Sequence, residues 1–271
     1  MTTITFLKQI TPELSLQQYN EIPVIALDHH IGKAFISLQG AHLFSWQPKA
    51  QQKDVLWLSE IEPFTLGNPI RGGVPLCYPW FGGKQNPAHG YARNTLWKLT
   101  DYQIETQKVQ LEFCLFSENH LIEAKINMEF YEDCKLTFTH YGQDPAEIAL
   151  HSYFNIADIE NIEVSGLPTS CFNSLIQQQE TVPSTRKIAE NVDCIYKIAT
   201  LETHQINDAI LNRCIEITHK NATETVLWNP WHKETSSMNK ESYKTMVCVE
   251  TARISQKLSQ GEKVSTIISV K

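Results

Sequence analysis

A chain of 271 residues with 42% hydrophobic side chains has ample apolar material for a buried core, enough for one large all-β domain or two ordinary ones. Its formal net charge of −7 and pI near 5.8, with no long basic run to offset them, argue against general binding to nucleic acid or to an anionic membrane. Seven cysteines, an odd number with no CxxC pair, fit reduced and packed thiols better than a disulfide framework or a zinc site.

The amino-terminal MTTITFLKQITPELSLQQYN lacks the basic start and apolar run of a signal peptide, and nowhere do eighteen apolar residues follow one another. The expectation is a soluble, cytoplasmic protein, taken as a monomer. From Ile22 onward short runs of β-branched and aromatic residues alternate with polar turns: IPVIAL, AFISL, HLFSW and VLWL read as strands. Residues 68–97, NPIRGGVPLCYPWFGGKQNPAHGYARNTLW, fit neither helix nor strand. Their prolines and glycines break regular ladders, while Arg71, His89 and Arg93 offer donors to an anion or a polyhydroxyl ligand. Tyr78, Trp80, Phe81 and Tyr91 can wall such a ligand, so the stretch reads as a sugar-phosphate site set against the plainer alternative of a turn-rich surface loop.

Beyond it, Val109, Leu111, Phe113 and Leu115 alternate at period two, and Leu136, Phe138 and His140 continue the pattern. Residues 117–125 are read as a turn or two of helix. Strands recur near residues 162–164, 215–217, 225–228, 245–251 and 264–270, and the polar, proline-containing residues 174–190 are read as a mobile connection between strands. No composition break marks a linker. The prediction is an all-β fold, a large antiparallel β-sandwich, as a single domain over residues 1–271.

Three further places carry candidate chemistry. In ALHSYFNI, alternation puts Ala149, His151 and Tyr153 on one face, where a histidine can be a hydrogen-bonded core residue or a functional one. In MVCVETARI, Glu250 falls in register with Met246 and Cys248, so a buried face would hold a carboxylate that needs a partner; a register shift would instead leave it in water. Asp193 in NVDCIY can cap a turn, and Trp228 and Trp231 of WNPW can form a plate for sugar C–H groups or close one end of the sandwich. His29 and His30 have no partner at metal-ligand spacing, Cys77 and Cys248 lack a nucleophile signature, and neither GxGxxG nor GxxxxGKS occurs, so no metal and no cofactor are expected.

Taken together, LQGAHLFSW, VLWLS, IRGGVPLCYPWFG, HGYARNTLW, ALHSYFNI with VSGL, VDCIY, WNPW and MVCVETARI resemble the aldose 1-epimerase (mutarotase) superfamily in its glucose-6-phosphate 1-epimerase branch. The resemblance implies a large antiparallel β-sandwich that interconverts the α and β anomers of hexose 6-phosphates, with a small sugar phosphate as ligand. It implies that His151 is the catalytic acid and Glu250 the base. It places Arg71, His89 and Asp193 against the sugar and Arg71 and Arg93 on the phosphate side. Glu250 is then expected to be ionised and His151 charged, on opposite sides of the sugar. Two departures are visible: SENHLIEAKI where many relatives carry a Trp-Pro segment, and a shortened HKETSSMNKESYKT after WNPW. An epimerase of unphosphorylated aldoses and a non-catalytic carbohydrate-binding protein are the alternatives.

Overall fold

The computed structural model describes residues 2–271; Met1, where the expected 1–271 domain begins, lies outside them. Two strands precede the first one read from the sequence, β1 (Ile4–Gln9) and β2 (Leu14–Tyr19). Strand β1 is exposed along its whole length, so burial imposes no alternation there that a sequence reading could find. With β3 (Ile22–His29), β4 (Gly32–Ser37) and β5 (His42–Pro48) they form a five-stranded antiparallel sheet in chain order. Residues 55–58, read as a strand, instead make isolated bridges from Leu56 to Phe154 and from Leu58 to Gly72.

The 68–97 stretch is irregular as expected, holding only β6 (Leu76–Cys77) and one turn of 3-10 helix, Ala92–Asn94. A meander follows through β7 (Lys98–Glu105), β8 (Lys108–Phe116), β9 (Ile122–Phe130) and β10 (Cys134–His140). The helical turn expected over residues 117–125 does not form: a tight turn leads into β9, whose Ala124, Ile126, Met128 and Phe130 are all buried at period two. Pairing on both edges overrides the polar local texture.

The remaining strands are β11 (Ala146–Leu150), β12 (Tyr153–Asn155), β13 (Ile162–Ser165), β14 (Ser170–Asn173), β15 (Gln178–Thr181), β16 (Val192–Lys197), β17 (Leu201–Asp208), β18 (Arg213–Lys220), β19 (Glu224–Asn229), β20 (Met246–Leu258) and β21 (Lys263–Val270). Residues 174–190 are more ordered than expected, because β15 pairs with β14 as an edge hairpin. Two eight-stranded antiparallel sheets result: β13-β17-β18-β21-β10-β9-β8-β7, and β15-β14-β16-β19-β20-β11-β6 with β12 also on β20. The all-β antiparallel class is therefore as predicted.

One buried cluster joins Leu43 and Trp46 of the first sheet, Phe113, Phe138 and Ile217 of the second, and Ile148, Leu150, Val247 and Val249 of the third. Each such side chain contributes roughly 1.5–3 kcal/mol through burial. Since Val247 and Val249 face this core, Met246, Cys248 and Glu250 must emerge on the opposite face of β20. Strands β11 and β12 pair with β20 in one continuous register, Leu150 with Thr251 and Tyr153 with Cys248, which sets His151 across from Glu250. Strands β19 and β16 extend the same face, placing Trp228 beside Cys248 and Asp193 beside Trp228.

Candidate active site

The outer face of β20 is roofed by the loops that the glycines allow to approach it. Gly73 has φ of +60°, and a Cβ there would come within 2.4 Å of the Leu43 carbonyl oxygen. Its amide donates to Trp57 O at 2.7 Å, and its carbonyl accepts from Tyr153 N at 2.8 Å. Arg71 is carried in on this turn, its amide held by Glu62 Oε2 at 2.7 Å. Gly90 plays the same part for the other donors: with φ of +74°, a Cβ would lie 2.0 Å from Tyr78 O, and His89 and Arg93 flank it. The close approach is the physical reason for the glycines in IRGG and HGY.

His151 Nε2 lies 3.4 Å from Glu250 Oε1, with His151 8% and Glu250 1% exposed. The imidazole stacks on the Tyr153 ring, centroids 4.8 Å apart and planes 7° from parallel, and meets the edges of Trp228 and His89 at 6.0 and 5.9 Å. His151 Nδ1 and Glu250 Oε2 are buried without a protein hydrogen-bond partner. Side by side at 3.4 Å, the two groups leave no space for a sugar ring between them, which corrects the expectation that they stand on opposite sides of it. The charged pair expected of them is opposed by burial, which pushes the Glu250 carboxyl well above its ordinary range, reinforced by Asp193. Burial drives the His151 imidazole well below 6.5, and His89, Arg71 and Arg93 further oppose its cation.

Arg71 donates from Nη1 to the Tyr153 hydroxyl at 3.0 Å, from Nε to Ser236 O at 3.1 Å and from Nη2 to Ser236 Oγ at 3.0 Å. The loop after Trp231 thus reaches back across the site and grips this arginine. Arg93 donates from Nη2 to Ala88 O at 2.7 Å, while its Nε is buried and unpartnered. Among the described residues neither guanidinium is within ion-pair distance of a carboxylate. His89 accepts from Gly82 N at Nδ1, 3.3 Å away, which leaves its proton on Nε2; burial, then Arg93 and Arg71, hold its pKa at about 4. Asp193 shares the face but lies beyond Trp228, its carboxyl raised by burial.

The structure thus gathers Arg71, His89, Arg93, His151, Asp193 and Glu250 of the sequence reading about one face, while the aromatics divide. Tyr78 does not wall the site: it is 1% exposed, packs on Phe138 and bonds His140. Tyr91 turns to Glu123, and Trp80 donates to Pro87 O. Phe81 does reach the site, edge-on to His89 at 5.0 Å. Of the two tryptophans, Trp228 meets His151, whereas Trp231 packs on Tyr243 at the end of the sandwich. Missed altogether were Ser236 and Trp57, which stacks on Tyr153; Tyr153 itself was signalled by its period-two relation to His151. Among the described residues, the one cluster at metal-ligating distance lies away from this site, between β14, β15 and β16.

Comparison with known proteins places the chain in a family. The aldose 1-epimerase family profile matches residues 23–271. A Haemophilus influenzae protein provisionally named glucose-6-phosphate 1-epimerase is 54% identical over 268 residues, 98% of each chain. The crystal structure of HI1317 superposes with a TM-score of 0.98 at 58% identity, over 99% of this chain and 100% of that one. That of a provisionally assigned mutarotase, YeaD of Salmonella typhimurium, does so with a TM-score of 0.92 at 33% identity, over 98% and 96%. Fold and sequence agree, and the chain belongs to the aldose 1-epimerase family.

Proposed function

We propose that this protein interconverts the α and β anomers of hexose 6-phosphates, chiefly glucose 6-phosphate, by acid-base opening and closing of the sugar ring. The observation that carries the reading is the convergence of two guanidinium groups without carboxylate partners, Arg71 and Arg93, on a buried His151–Glu250 pair. A phosphate dianion supplies the missing countercharge, and guanidinium forks suit it.

O1 and the ring oxygen are both bonded to C1, so two adjacent protein groups can serve them together. Glu250 takes the proton from O1 while His151 delivers one to the ring oxygen; the ring opens, the aldehyde turns about C1–C2, and both transfers reverse on closure. The chemistry needs one proton shared by the pair. Neutral Glu250 with neutral His151 and ionised Glu250 with charged His151 contain the same proton count, so the resting preference for neutrality does not prevent the charged arrangement once a sugar hydroxyl bonds the carboxylate. Placed acid and base groups contribute roughly 10²–10⁴-fold. His89 Nε2–H, Asp193 and Trp228 stand where they can contact sugar hydroxyls and C–H groups.

Polarimetry of freshly dissolved α-glucose 6-phosphate and α-galactose tests the proposal. Acceleration of the first well beyond the second is expected. Equal rates would identify an epimerase of unphosphorylated aldoses, and no acceleration of either would leave a carbohydrate-binding protein without catalysis.

A further inference from the structure

Away from the sugar site, Cys171 on β14, Glu180 on β15 and Cys194 on β16 bring their sulfur and carboxylate atoms within 4.8 Å of one another. The register explains why: Cys171 pairs directly with Glu180, and Asn173 with Cys194, so the second cysteine stands one diagonal away on the same face. Both thiols are 1% exposed and belong to the core cluster, on the face opposite to that of Asp193. Glu180 is half-buried at the edge of the sheet, which gives an entry path.

We propose that these three side chains form a site for a thiophilic divalent cation of the zinc class. A tetrahedral zinc with bonds of about 2.3 Å to sulfur and about 2.1 Å to oxygen spaces its ligand atoms about 3.6–3.8 Å apart, within reach of the observed cluster by small rotamer changes. Two sulfurs and one carboxylate favour such an ion over magnesium or calcium, which take oxygen. Asn173 Nδ2 donates to Glu180 Oε2 at 2.9 Å, orienting the carboxylate as an outer-shell partner does. Two thiolates and a carboxylate around a dication leave one negative charge, and the Arg186 guanidinium beside Cys194, anchored on the Tyr196 hydroxyl at 2.7 Å, offsets it. Solvent supplies the fourth ligand on the exposed side. The ion would clasp the edge hairpin β14–β15 onto β16, the strand that carries Asp193 into the sugar site. This sets aside, for two of the seven thiols, the sequence expectation of packing alone.

Titration of the full chain with Co²⁺, the thiols kept reduced by a phosphine, should give one equivalent bound with a sulfur-to-cobalt charge-transfer band, displaced by Zn²⁺. Cys171→Ser and Cys194→Ser should lose the band and Cys214→Ser should keep it. Asn173→Ala should weaken binding about 10–100-fold. Because a buried cysteine substitution can unfold the edge, the wild-type chain supplies a second readout: Zn²⁺ should protect Cys171 and Cys194 from alkylation, located by mass spectrometry. Absence of the band, its survival in Cys171→Ser, protection at other thiols, or a Cys171–Cys194 disulfide in place of metal uptake would each overturn the proposal. None of these outcomes bears on sugar turnover.

Discussion

Glu250 and His151 are two residues in one cross-strand row, each placed by alternation that the sequence already displayed. Glu250 shares its face with Met246 and Cys248, and His151 with Ala149 and Tyr153. What the sequence could not display is their separation or how dry the site is, because both depend on Trp57, Trp228 and Tyr153 arriving from three different places in the chain. Glu250→Gln and His151→Asn nearly preserve volume and remove proton transfer, so each should lower kcat by about 10²-fold or more with little change in KM; near-normal kcat in either would remove that residue from the mechanism. The pair must hold one proton, and its apparent pKa values belong to both groups. Since burial carries His151 well below 6.5, the acid limb of kcat/KM should lie well below 6.5, once corrected for the second phosphate ionisation near pH ~6. A limb centred on an ordinary histidine would mean that the imidazole is far more solvated than this geometry allows.

At the scale of elements, the irregular 68–97 stretch was legible through its prolines and glycines, and the strands through their period. The reading of residues 117–125 as helix failed because a short polar run carries no record of the two neighbouring strands that recruit it. Likewise nothing local in HKETSSMNKESYKT announces that Ser236 will hold Arg71. That contact separates the two arginines. All three nitrogen positions of Arg71 are engaged by Tyr153 and Ser236, whereas Arg93 keeps a buried Nε without partner. Arg93→Ala should therefore raise KM for glucose 6-phosphate by about tenfold or more, the loss of a charge-assisted bond costing roughly 1.5–3 kcal/mol, and leave turnover of free glucose nearly unchanged. Arg71→Ala should impair both substrates, since it also releases the loop. A Ser236→Gly variant should reproduce the loop part alone, a modest rise in KM for both sugars; selective loss of the phosphate by Arg71→Ala and of neither by Arg93→Ala would reverse the assignment.

Over the whole molecule, strand periodicity gave the class of fold, whereas sheet order depends on long-range pairing that a linear pattern does not encode: β21 inserts between β18 and β10, and β20 between β19 and β11. The same closure buries ionisable groups, and these set how stability follows pH. His42 and His219 are 0% exposed and His151 is 8% exposed; burial holds His42 at about 4 and the other two well below 6.5. Below 6.5 the unfolded chain binds protons at these positions and the folded chain does not, so stability falls as pH drops from 6.5 toward about 4. His42 alone accounts for about 3 kcal/mol of that loss. Glu250 acts in the opposite sense. Its folded carboxyl keeps a proton that the unfolded chain gives up above 4.5, so its contribution is full below 4.5 and is lost as pH rises toward its raised value. Glu250→Gln removes this opposing term and leaves the histidines. Denaturant unfolding at pH 5, 6 and 7 should then show a steeper rise of stability with pH in Glu250→Gln than in the parent chain, by up to about 1.4 kcal/mol per pH unit, and a variant more stable than the parent at pH 7. Parallel pH dependences would mean that Glu250 is ionised in the folded protein, and the resting pair would have to be redrawn with a charged His151.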